Sequence, residues 1–111
     1  MIFVESHAFS RRRTEHLDDE DFRTLQGALL DNPEAGAVIP GTGGLRKLRW
    51  SAEGRGKRGG VRIIYFPLLS RSVILLLLLY AKNEQDDLTP EQKRILRWLV
   101  KAEIAAKAGE G

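Results

Sequence analysis

The stretch VILLLLLYA, Val73–Ala81, is an unbroken apolar run of nine residues with turn signals on either side. It is too short to cross a bilayer as a helix, which needs about 20 residues. Leucine favours helix by propensity, but so short a run between breakers fits a strand buried on both faces. Such a strand sits centrally in a sheet, so other segments must supply its neighbours.

Two further strands precede it. Residues 45–51 alternate, with Leu45, Lys47 and Arg49 on one face and Arg46, Leu48 and Trp50 on the other. Residues 61–67 are rich in β-branched and aromatic side chains, with Arg62, Ile64 and Phe66 on one face and Val61, Ile63 and Tyr65 on the other. Residues 68–72 read as a turn and residues 1–4 as a short first strand. Asp18, with Asp21 three positions on, starts a helix whose apolar face is Phe22, Leu25, Ala28 and Leu29, and Asn32-Pro33 ends it. A shorter helical turn covers 9–16, with Arg11, Arg12 and Arg13 on a solvated face.

Residues 32–44 are punctuated by Pro33, Gly36, Pro40 and GTGG. GTGG lacks the Gly-Lys-Ser/Thr ending and the following helix of a phosphate cradle, so it reads as a plain turn. Thr89-Pro90-Glu91-Gln92 is a capping box opening a last helix, with Ile95, Leu96, Leu99, Val100 and Ile104 as its apolar stripe. The order β-α-α-β-β-β-α predicts an α+β fold in a single domain, 1–111. Helices pack on a three- to four-stranded, mainly antiparallel sheet.

Charge is the next constraint. The net charge is only +3, but residues 45–65 hold seven cations (Arg46, Lys47, Arg49, Arg55, Lys57, Arg58, Arg62) against Glu53. The remaining eleven cations and fourteen acids leave an acidic body around one strongly basic hairpin. Such a local field attracts polyanions, above all nucleic-acid phosphates. The absence of cysteine excludes a disulfide framework and a thiolate metal site. The N-terminus has neither a basic start nor the apolar core of a signal peptide. The expectation is a cytoplasmic protein with no membrane association.

Metal and nucleophile chemistry find little support. The only histidines are His7 and His16, Asp18–Asp21 belong to a helix start, and Asp86-Asp87 read as a charged loop. No Gly-x-Ser-x-Gly is present. No metal or other cofactor is expected. What remains is Lys/Arg chemistry. RNA is cleaved when its 2′-hydroxyl attacks the adjacent phosphorus. A catalyst removes the 2′ proton, stabilises charge on the phosphorane and protonates the leaving 5′ oxygen. Fixed guanidinium groups can stabilise that charge, and a lysine crowded by cations can serve as acid or base. Lys47 and Arg49 share a face that Arg62 can join, although the 51–60 loop hides the register.

Over nearly the whole chain the sequence resembles the RelE/HigB-type toxins of bacterial type II toxin–antitoxin modules, particularly the HigB-like branch. FVES, the helix into NP, GTGGLRKLRW, GKRGGVRIIYF, YAKNE and LTPEQKRILRWLV carry the resemblance, in that order. It implies a metal-independent endoribonuclease that cleaves messenger RNA in the ribosomal A site and is neutralised by an antitoxin. That antitoxin is expected to be a helix-turn-helix DNA-binding protein, linking the toxin to DNA only indirectly. The implied catalytic residues are Lys47, Arg49, Arg62 and Lys82. Lys57 and Arg58 match basic residues of the HigB-like branch, and with Arg46 and Arg55 of the basic hairpin they are the expected RNA-binding residues. Asn83 and Leu88 stand where some members carry arginine and tyrosine. Two alternatives therefore stay open: a non-catalytic RNA- or ribosome-binding module, and an inactive toxin homologue. Trp50, Tyr65 and Tyr80 are expected in or at the rim of the core.

Overall fold

The computed structural model describes residues 1–51 and 60–110. Strand β1 (Ile2–Glu5) leads into helices α1 (His7–His16) and α2 (Asp19–Asp31). Strands β2 (Ala37–Val38), β3 (Arg46–Trp50), β4 (Val61–Leu68) and β5 (Val73–Ala81) follow, with a 3-10 turn at Leu69–Arg71, and helix α3 (Pro90–Glu110) comes last. The sheet runs β1-β5-β4-β3-β2, antiparallel throughout except for β1 alongside β5.

The apolar run is interior as expected: eight of its nine residues are buried, between β1 and β4. Fully burying a leucine contributes about 1.5–3 kcal/mol, so β5 anchors both sides of the sheet. On one side Phe9, Leu17, Phe22, Leu25 and Leu29 of the first two helices and their junction cover Ile63, Tyr65, Ile74 and Leu76. On the other, Leu96 and Val100 of α3 cover Ile64, Leu75, Leu77 and Tyr80.

The helix starts follow their caps. Asp18 Oδ1 accepts from the Asp21 N–H at 2.7 Å. In the capping box Thr89 Oγ1 accepts from the Gln92 N–H at 3.1 Å, and Gln92 Oε1 accepts from the Thr89 N–H at 3.0 Å. Helix α1 is longer than the turn expected over 9–16, because Ser6 Oγ accepts from the Phe9 N–H and starts it at His7. Its arginines also depart from a plain solvated face. Arg13 bonds Asp19 at 2.9 Å and lies 4.7 Å over the Phe22 ring, and Arg12 pairs with Glu84.

The sheet has five strands rather than three or four. The extra edge strand, Ala37–Val38, is too short for alternation to reveal. Gly36 admits it: a Cβ there would lie 2.8 Å from the Lys47 carbonyl oxygen and 2.9 Å from the Tyr65 ring. The buried Tyr65 hydroxyl accepts from the Gly36 N–H at 2.9 Å and donates to the Pro33 carbonyl at 2.8 Å. GTGG is a turn, with positive φ at Gly41, Gly43 and Gly44, and Thr42 Oγ1 donates to the Ile39 carbonyl and accepts from the Leu45 N–H on either side of it.

One irregularity decides which residues reach the α3 face. Along β4 and β5, Tyr65 pairs with Leu76 but Ile64 pairs with Leu78, leaving Leu77 as an extra residue. Without it, strict alternation would send Tyr80 to the side of Leu76, under α1 and α2. With it, Tyr80 lies on the α3 side opposite Arg62. The Leu77 carbonyl accepts from Ser6 Oγ at 2.6 Å. Among the described residues, no helix is long and apolar enough to cross a membrane.

Candidate active site

The register of β3 on β4 places Arg49 directly opposite Arg62, and that of β4 on β5 places Arg62 opposite Tyr80. Directly opposed side chains start about 4.5–5.5 Å apart at Cβ. Lys47, two residues before Arg49, projects to the same face. Three strands therefore present a row of Arg49, Arg62 and Tyr80 with Lys47 beside it. Arg62 is the inner cation, only 7% exposed, whereas Arg49 is exposed. A guanidinium held in low-dielectric surroundings interacts more strongly with an arriving anion than one in water.

The Tyr80 hydroxyl is buried and without a hydrogen-bond partner among the described residues. Burial first, and then the Asp87 carboxylate, push its pKa above the ordinary value of 10, against the opposing pull of Arg62. At neutral pH it is a proton donor, not a base.

Sequence reasoning missed Asp87. It lies in the loop before α3, forty residues from Lys47, yet Lys47 Nζ donates to Asp87 Oδ1 at 2.6 Å. The hydrogen bond and charge of Lys47 hold the Asp87 carboxyl below its ordinary value of 3.8, with Lys93 and Arg49 adding to the effect. The ion pair is therefore fully formed above that value and is lost only as pH falls through the lower folded one. One carboxylate thus occupies a place ringed by Lys47, Arg49 and Lys93. Beside it is a cleft of about 340 Å³ whose lining includes Val38, Ile39, Pro40, Lys47, Leu88 and Lys93. The apolar wall comes from the edge strand β2, the second element that the sequence did not disclose.

Not every expected residue joins this group. Lys82 is exposed just past β5 and lines a separate cleft of about 530 Å³ with Glu15, His16, Asn83 and Glu84. That turn is closed by Glu84, whose Oε1 accepts from the Ala81 N–H at 2.8 Å. This bond and then Arg12 hold the Glu84 carboxyl below its ordinary 4.5. Arg46 projects to the opposite side from Lys47, where it bonds Glu34 Oε2 at 3.1 Å and the Gly36 carbonyl at 2.7 Å. Its guanidinium ties down the segment leading into β2. Arg55, Lys57 and Arg58 lie outside the described residues. Among the described residues, no three acidic, histidine or cysteine side chains converge on a metal position.

The arrangement can therefore offer a phosphate oxygen one buried and one exposed guanidinium group, with an ammonium and a protonated phenol beside them. Searched against family models, the sequence matches none. In three dimensions it is similar to a free-state structure of an arginine-to-alanine double mutant of the E. coli toxin RelE. The two share 15% identity with a TM-score of 0.52, over 77% of this chain and 86% of that one. The chain has a RelE-like α+β fold.

Proposed function

We propose that the chain is a single-domain endoribonuclease toxin of the RelE/HigB type, from the HigB-like branch. In this reading it belongs to a type II toxin–antitoxin module and cleaves messenger RNA in the A site of the 70S ribosome, without a metal. The observation that carries the proposal is the Arg49–Arg62–Tyr80 row beside Lys47 on a RelE-like sheet. Arg62 and Arg49 stabilise the charge on the phosphorane oxygens as the 2′-hydroxyl attacks. Lys47 exchanges protons with the 2′-hydroxyl or the leaving 5′ oxygen, and Lys82 and the loop cations Arg55, Lys57 and Arg58 hold the strand. The requirement for a 2′-hydroxyl selects RNA over DNA. The partner is a helix-turn-helix antitoxin, and the toxin acts in the cytoplasm.

Purified protein added to translating ribosomes is expected to cut messenger within reading frames, as mapped by primer extension, and prior dialysis of the protein against EDTA should leave the rate unchanged. Intact messenger, or a loss of cleavage after that dialysis of the protein, would sink the proposal. One observation favours a second reading. Leu88 is buried among apolar neighbours and supplies no proton-transfer group, as a non-catalytic RNA-binding homologue would allow. That reading predicts salt-sensitive binding without products in the same assay.

Asp87 adds a prediction about strength. Its carboxylate sits against the cations that would take a phosphate, so substrate must displace it. Asp87→Asn removes the competing charge and is expected to raise RNA affinity about two- to fivefold, the span of an exposed charge contact. Titration of a labelled RNA oligonucleotide into both proteins measures it. Weaker binding by the variant would show instead that Asp87 holds Lys47 in its productive position.

A further inference from the structure

Helix α3 carries a feature that the candidate active site does not use. Trp98 is 65% exposed on the side of the helix turned away from the sheet. An indole is among the largest apolar surfaces a side chain offers, and leaving it in water forgoes much burial. Around it stand Arg94, Arg97 and Lys101, which with Trp98 line a shallow groove of about 260 Å³. The spacings 94, 97, 98 and 101 put all four on one helical face. From Lys93 to Lys101 the helix holds four cations and no acid. Arg94, Arg97 and Lys101 sit well before the end of the helix at Glu110, so the helix dipole gives no reason for them.

Cations flanking an exposed aromatic ring make up a single-stranded nucleic-acid platform: the ring stacks on a base and the cations take the phosphates either side. Four like charges without an acid repel most protein surfaces and favour a polyanion. Position supports the same ligand. Lys93, at the start of the run, also lines the cleft beside Lys47 and Asp87. Cations therefore continue from that cleft along α3 to Lys101, about 12 Å of helix axis.

We propose that this outer face of α3 is a second RNA-contacting surface, with Trp98 stacking on an unpaired base and Arg94, Arg97 and Lys101 binding its neighbouring phosphates. The inference rests on RNA being the ligand of the candidate active site and extends the strand's path beyond it.

A short 2′-O-methyl RNA oligonucleotide separates binding from cleavage, because it lacks the nucleophile. Its affinity is measured by fluorescence anisotropy at several salt concentrations. The triple variant Arg94→Ala, Arg97→Ala, Lys101→Ala is expected to bind at least about tenfold more weakly. Its salt dependence should flatten by about 2 in log–log slope, from three lost phosphate contacts at about 0.7 each. Trp98→Ala is expected to weaken binding about tenfold with the slope unchanged. In a Trp50→Phe protein, RNA is expected to quench the remaining Trp98 emission. Unchanged affinity and slope in the triple variant would overturn the proposal, as would no binding of the probe by the wild type. Trp98 emission that responds to anionic lipid vesicles but not to RNA would assign the face to a membrane surface instead. The ribosome assay keeps the two readings apart. Cleavage without any effect of the α3 variants on binding removes only this surface. Binding through α3 without cleavage removes only the active-site reading.

Discussion

Replacing Arg62 with methionine is expected to lower messenger cleavage by about 10²–10³-fold, the loss typical of removing one preorganised donor from a charged transition state. Arg62 is buried on β4, with Arg49 on one flanking strand and Tyr80 on the other. On the proposed reading a side chain packed there is already ordered when the phosphate arrives, whereas the exposed Arg49 must first be ordered. Methionine keeps an unbranched apolar stem in the sheet, so a loss of activity is not confused with a cavity. Arg62→Lys restores charge but not the planar two-pronged donor and should recover only part of the rate. Initial rates with translating ribosomes, alongside thermal melts of each variant, measure both effects. Wild-type cleavage by a folded methionine variant would refute the assignment of Arg62.

Gly36→Ala is expected to destabilise the protein by about 1–3 kcal/mol, as overpacking does. The new methyl group would lie 2.8 Å from the Lys47 carbonyl oxygen and 2.9 Å from the Tyr65 ring. The ring is fully buried and cannot retreat, and the carbonyl belongs to the ladder that seats β2. Relief comes only if β2 peels away. That would break the Tyr65 hydroxyl bond to Gly36 and remove the apolar wall of the cleft beside Lys47. A melting temperature lower by roughly 5–15 °C is the expected reading for a domain of this size. Cleavage should fall with it even well below the melting point, because Lys47 sits on the disturbed backbone. An unchanged melting temperature would show that the edge strand carries little of the stability.

What could be read in advance depended on whether the determinant was local. The caps at Asp18 and Thr89 are written within four residues, and both helices start where those residues say. The burial of β5 on two faces followed from nine apolar residues between breakers. The facing of β3 and β4 followed from alternation, so Lys47 and Arg49 were correctly placed on one side and Arg46 on the other. The pairing of Arg49 with Arg62 was hidden, because the length of the connecting loop does not determine register. Asp87 was hidden for a related reason: its partner Lys47 is forty residues away, and a carboxylate before a helix has an ordinary explanation at that end. Nothing in 37–38 marks a strand, since two residues hold no period. The α3 cations were visible as letters. Only the exposure of Trp98 distinguishes them from the polar side of any surface helix.

The extra residue at Leu77 has a consequence for how the strand finds its place. Leu75 to Leu79 are five identical side chains, and both sides of the sheet accept them. Moving the bulge one step along this run would exchange leucine for leucine, so hydrophobicity scarcely discriminates among the neighbouring registers. Selection falls to the few polar groups that tell the alternatives apart. Ser6 is one, its hydroxyl donating to the Leu77 carbonyl while it also caps α1. The pairing of Arg62 with Tyr80 selects differently: it needs the extra residue somewhere before Tyr80 and so rejects an unbulged strand. A serine at the far edge of the sheet thus acts as an index mark for the leucine ladder, and losing the extra residue altogether would still bury leucines on both sides while turning the phenol to the wrong one.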